Sequence, residues 1–146
     1  LICTQGAAAI RAMPVEVGQR VPLGIGAGSL AILASLPDDV ITRIMEQRGQ
    51  QGTVFPIGHE LTSDLWDRIA QNRADGFSTS RGTVAKGVSG VGVLVPQSHG
   101  HEPLAITVSA AVDDLFPLEA RRLAHEISRI ISSQRDHSKL AGRISM

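Results

Sequence analysis

A glycine-rich turn running straight into a small-residue apolar helix presents backbone amides, and residues 22–34, Pro-Leu-Gly-Ile-Gly-Ala-Gly-Ser-Leu-Ala-Ile-Leu-Ala, read that way. Gly24, Gly26 and Gly28 tolerate positive φ and let another group approach the main chain closely. Gly28 or Ser29 is the expected N-cap of a helix over Leu30 to Ala34. The first turn of such a helix carries unpaired N–H groups and a partial positive charge, so a small anion such as a carboxylate can rest there. The same three glycines fit a second reading, in which they only permit tight packing.

A second set of candidate residues lies further along. Gly90 and Gly92 interrupt the apolar run Val88 to Val95, and side chains missing from a sheet face leave a hollow. The run Leu104 to Ala111 is expected to pair with it antiparallel, and it offers Thr107 and Ser109, two residues apart and therefore on one face. Two hydroxyls opposite a glycine-lined strand suit a small polar ligand; they equally suit solvent on a half-exposed strand. Other chemistry is weaker. His99-Gly100-His101 sits in an expected turn with only Glu102 near it, and a metal needs three or four ligands fixed in space. His59-Glu60 and His125 read as surface positions, and Cys3 as a small apolar residue without a basic neighbour to activate it. No nucleophile, base and orienting group converge, so no enzyme activity is expected. The glycine turn lacks the Gly-Lys-Ser/Thr ending of a phosphate-binding loop, and no parallel βαβ context supports a dinucleotide, so no cofactor is expected.

The elements that must position these residues follow from the pattern. Leu1–Cys3 and Ala7–Met13 read as a hairpin around Thr4-Gln5-Gly6, and strand character returns at Val15, Val17 and Val21. After the glycine helix, Pro37-Asp38-Asp39 restarts a helix carrying Val40, Ile41, Ile44 and Met45, which Gly49 is expected to stop. Thr62-Ser63-Asp64 caps a helix whose stripe of Leu65, Trp66, Ile69 and Ala70 is expected to be core, ending near Asp75-Gly76. Phe77 to Arg81 reads as a strand leading to a turn at Gly82. A long amphipathic helix from Pro117 to Gln134 closes the domain, with Leu118, Leu123, Ala124, Ile127, Ile130 and Ile131 inward, and the last dozen residues fray. The fold class is α+β, a mainly antiparallel sheet with helices against it.

Composition narrows the function classes. The 146 residues, 42% hydrophobic, suffice for one domain with one sizeable core. Fourteen Lys and Arg balance fourteen Asp and Glu, which leaves no electrostatic footprint for nucleic acid or an anionic membrane. Aromatics at 3% disfavour a stacking platform for single strands. No apolar run approaches the roughly 18–20 residues of a membrane span, and one cysteine fits a reducing compartment, so the expected location is cytoplasmic. Because it begins at Leu1, the chain is expected to be a segment of a longer protein.

Four landmarks in order give a family resemblance. Arg20 to Pro37, containing Pro-Leu-Gly-Ile-Gly-Ala-Gly-Ser-Leu-Ala-Ile-Leu-Ala-Ser-Leu-Pro, resembles the Pro-Leu, small-residue, Gly-x-Ala-Leu-Leu-Ala-x-Leu-Pro region of the effector-binding domain of IclR-type transcriptional regulators. Arg73-Ala74-Asp75-Gly76-Phe77 resembles the Arg-x-x-Gly-Tyr element. Lys86 to Val93 resembles the Gly-Val-x-x-Ile-Ala-x-Pro strand, and Leu104-Ala105-Ile106-Thr107-Val108-Ser109 resembles the Ala-Leu-Ser-Val-Ser strand before the last helix. The resemblance implies a GAF- or profilin-like domain over residues 1–146 that binds a small metabolite and forms dimers or tetramers. It further implies a helix-turn-helix DNA-binding domain missing from this chain, so DNA is a partner only through that domain. By position it implies an effector pocket at Gly26 and Ala27, Ser80, Gly90, Thr107 and Ser109.

Departures from the family pattern bear on the ligand. Where members often carry acidic residues after the Gly-Tyr element, this chain has Ser78-Thr79-Ser80-Arg81-Gly82. If Arg81 faces inward it pairs with a carboxylate effector, while the Gly26 to Ser29 amides or the two hydroxyls hold the other end; if it lies on a strand edge it does not. The missing bulk at Gly90 and Gly92 points to a ligand larger or flatter than a two-carbon acid. The reading from another class is a free-standing GAF-like enzyme or cofactor-binding domain, against which the lack of a convergent catalytic set counts.

Overall fold

The computed structural model describes residues 22–51, 64–97 and 101–144. The expected N-terminal hairpin and strand, Cys3, His59-Glu60, the Thr62-Ser63 cap and the His99-Gly100 pair lie outside the described residues. Seven elements follow in order: α1 (Ala27–Ala34), α2 (Asp38–Gln51), α3 (Asp64–Asp75), β1 (Ser78–Arg81), β2 (Val88–Val95), β3 (Leu104–Ala111) and α4 (Pro117–Ile144).

The three strands form one antiparallel sheet in the order β1-β2-β3. Alternation along the strands gives the sheet two different faces. Val91 and Val93 lie on one face with Phe77 and Leu115, against Ala120, Ala124, Ile127 and Ile131 of α4. The other face carries Ser78 and Ser80, Gly90 and Gly92, Thr107 and Ser109, and α1 lies across it. A second core joins α1 to its neighbours, with Leu30, Leu33 and Ala34 packed on Ile41 of α2 and Leu65 and Ile69 of α3.

Several element boundaries differ from the sequence expectation. Helix α1 starts at Ala27, so neither Gly28 nor Ser29 caps it: its N-cap is Gly26, φ 79°, with no side-chain capping bond. Gly26 suits that role because left-handed backbone costs it little and because a Cβ there would meet Val84 Cγ2 at 2.8 Å. The Ser29 hydroxyl turns back to donate to the Ile25 and Gly26 carbonyls. Helix α2 continues through Gly49 to Gln51, since a helical glycine costs only about 1 kcal/mol and does not by itself stop a helix. Helix α4 runs to Ile144 where fraying was expected after Gln134.

The apolar stripes are also narrower than the pattern implied. Leu65 and Ile69 are buried, but Trp66 is 43% exposed and Ala70 is exposed. On α4, Leu118 and Ile130 stay largely exposed at 65% and 48%. A helix resting on one partner surface buries only the arc that faces it, and residues at the margin of the stripe remain in solvent.

Candidate functional site

Strand register sorts the expected site into two rows across the sheet. The first row is Ser78, Gly92 and Thr107; the second is Ser80, Gly90 and Ser109. Helix α1 fills the first row. Ser78, 3% exposed, donates its hydroxyl to the Ala27 carbonyl at 2.5 Å. A Cβ on Gly92 would lie 2.5–2.7 Å from backbone atoms of Ala27 and Gly28, and a Cβ on Gly28 would lie 2.1 Å from the Thr107 hydroxyl oxygen. The hollow expected at Gly92 is therefore closed by the helix itself, and Gly28 lies close against Thr107, which is exposed at the sheet surface.

The second row sits beside the start of α1. A Cβ on Gly90 would be 3.1 Å from the Ser80 hydroxyl oxygen and 3.5 Å from the Ala27 Cβ, so Ser80, Gly90 and Ala27 form one cluster. Ser109 pairs with Gly90 on the β3 side and is exposed. The first intrahelical bond of α1 runs from the Leu30 N–H to the Gly26 carbonyl, so the amides of its first turn lie at its N-terminal end free of intrahelical partners. Among the expected residues, the structure thus brings Gly26, Ala27, Ser80, Gly90, Thr107 and Ser109 to one sheet face.

Arg81 departs from that group. It follows Ser80 directly and points to the opposite face, level with Ser89 of β2, and it is exposed. It faces neither the α1 turn nor the Thr107 and Ser109 hydroxyls. A cavity of about 330 Å³ nevertheless includes it, because the cavity runs along the outer edge of β1 and touches all four residues Ser78 to Arg81. Ser80, Arg81 and Gly90 line this cavity; Gly26, Ala27, Thr107 and Ser109 do not.

Side chains absent from the sequence expectation complete the cavity wall. Arg68, Gln71, Asn72 and Asp75 come from one side of α3, and Pro117, Ala120 and Arg121 from the start of α4. The spacing of 68, 71, 72 and 75 is a polar stripe at helical period, a signal that was present opposite the apolar stripe of α3. Ser89, 4% exposed, also faces the cavity. Among the described residues no three His, Cys, Asp or Glu side chains come together as metal ligands, and no helix is long and apolar enough to cross a membrane.

Comparison with known proteins then decides the family. A family model described as the bacterial transcriptional regulator IclR C-terminal region matches residues 5–133. This chain belongs to the IclR family. Its family is one of transcriptional regulators, and the enzyme reading is set aside. The fold is GAF-like, as in the IclR effector domains. The chain is similar in fold to the repressor BlcR of Agobacterium tumefaciens, with a TM-score of 0.68 and 18% identity, covering 84% of this chain and 50% of that one. The IclR of Thermotoga maritima gives a TM-score of 0.69 and 18% identity over 90% of this chain and 53% of that one. The transcriptional regulator YaiJ gives 0.69 and 22% over 92% and 75%. This chain thus spans about half the length of the first two. No curated protein matches it closely in sequence.

Proposed function

We propose that this IclR-type domain senses a small organic acid and couples its binding to the assembly of a dimer or tetramer. DNA binding belongs to a helix-turn-helix domain elsewhere in the regulator, and the protein works in the cytoplasm. The observation that supports this most is the row Ser80-Gly90-Ser109 beside the first turn of α1, where hydroxyls and helix amides offer donors to a carboxylate. Ala27 against Gly92 and Gly28 against Thr107 set the depth of α1, Gly26 caps it, and the cavity along β1 extends the site through Ser80, Gly90 and Arg81.

Signalling by such a domain requires differential affinity: the acid binds one subunit arrangement better than another and shifts the population toward it. Thermal denaturation with a panel of aliphatic and aromatic carboxylates tests the reading. An effector at about a hundred times its Kd adds about 2.7 kcal/mol of stability and raises the melting temperature with concentration. Ser80→Ala and Ser109→Ala reduce that shift. A panel in which no acid raises the transition contradicts the reading.

A further inference from the structure

The charge lining the β1 cavity narrows the chemistry of the effector, an inference that rests on the proposed sensing role. Four ionic side chains line the cavity: Arg68, Asp75, Arg81 and Arg121. Arg121 and Asp75 neutralise each other, with Nη2 to Oδ1 at 3.1 Å, and the Arg121 guanidinium lies over the Phe77 ring at 5.8 Å. Arg68 and Arg81 form no ion pair among the described residues. Among the described residues the cavity wall therefore presents two guanidinium groups without an ion-pair partner, one from α3 and one from the edge strand.

Two buried polar groups lie in the same lining. The Ser89 hydroxyl and the Asn72 amide nitrogen have no hydrogen-bond partner among the described residues, and both residues line the cavity. Each is a donor, and donors buried without acceptors are costly in a folded protein. The rest of the wall includes Leu30, Phe77, Leu115 and Ala120, all buried and apolar. At about 330 Å³ the space is at the small end of ligand pockets, which bury an apolar body and fix it by a few polar contacts.

We infer that the part of the site in the β1 cavity, joined to the row beside α1 through Ser80 and Gly90, takes a dicarboxylate with a short apolar spacer, held between Arg68 and Arg81. Each carboxylate accepts charge-assisted bonds from one guanidinium, with Ser89 and Asn72 as further donors, and the spacer lies against Leu30, Phe77 and Leu115. A monocarboxylate satisfies only one arginine. Bridging ties α3 to the sheet edge.

Calorimetric titration of the whole chain at low ionic strength tests this, using glutarate, adipate, pimelate and phthalate against pentanoate, hexanoate and benzoate. At least one diacid binds about tenfold or more tightly than the monoacid of matching skeleton, as one added charge-assisted contact requires. Arg68→Gln and Arg81→Gln each abolish that preference, while circular dichroism and the unliganded melting temperature stay at wild-type values because neither side chain is in a core. Equal affinity for diacids and monoacids, or a diacid affinity unchanged in Arg68→Gln, overturns the inference and leaves the sensing role standing. Failure of every acid in both sets to bind overturns both.

Discussion

Ala27 rests directly on Gly92: an ideal Cβ on the glycine would lie 2.5 Å from the Ala27 carbonyl carbon and 2.6 Å from its oxygen. Backbone occupies the space, so no side-chain rotation relieves the clash. Gly92→Ala is expected to push α1 off the sheet and destabilise the domain by about 3 kcal/mol, the upper end for overpacking a core. Urea denaturation measures it, and a loss under 1 kcal/mol shows that α1 can shift freely.

At Gly28 the obstacle is a side chain. Its Cβ would meet the Thr107 hydroxyl oxygen at 2.1 Å but the Thr107 Cβ only at 3.5 Å. Gly28→Ala therefore destabilises, and Thr107→Ala in the same chain restores much of the loss. A double-mutant cycle should report a coupling of about 1–2 kcal/mol, within the range for residues in contact. Additive effects refute the contact.

Arg73 ties α3 to the end of α1. Its Nε donates to the Ala34 carbonyl at 2.9 Å, and Nη2 donates to the Leu36 carbonyl at 2.9 Å and to Asp38 Oδ1 at 2.8 Å. The carbonyls at a helix C-terminus have no intrahelical partner, so these bonds satisfy groups that the chain leaves open. Arg73→Ala is expected to cost about 1–2 kcal/mol. Asp38→Asn should cost under about 0.5 kcal/mol, because that ion pair is exposed and screened. A larger effect at Asp38 than at Arg73 reverses the assignment.

Glu126 and Arg129 form an exposed pair on α4, with Arg129 Nη2 at 2.6 Å from Glu126 Oε1. The hydrogen bond from Arg129 is the main cause that holds the Glu126 carboxyl below its ordinary range, with the positive charge adding to it. A carboxyl whose folded value is depressed stabilises the fold above its unfolded value and loses that contribution as pH falls through the folded one. The expected outcome is a slight acid-side loss of stability that Glu126→Gln abolishes and high salt weakens. Carboxyl titration by NMR should show Glu126 moving upward in Arg129→Ala; an unmoved titration contradicts the pairing.

Much of the fold was legible because local rules agree with the tertiary result. The bounds of β2 and β3 follow from apolar runs between turns, and their antiparallel pairing follows from a short connection. The apolar stripe of α3 was legible only in part: Leu65 and Ile69 are buried, but spacing alone could not show that Trp66 falls beyond the arc that α1 covers. Helix ends failed where glycine decided them, since Gly26 caps α1 by positive φ whereas Gly49 continues α2.

Residue types and order were enough to determine the family, through four landmarks in sequence, and the α+β class and small-residue face of the sheet, through local periodicity and turn residues. Only the tertiary structure decided how that face is used. It showed that α1 closes the Gly92 hollow while the Gly90 row stays beside the helix start. It also showed that Arg81 stands on the other face and, with Arg68, lines the cavity along the edge of β1. The physical reason is that a one-residue step in a strand reverses a side chain's face, and that the cavity is bounded by α3, β1 and α4, whose residues lie far apart in sequence.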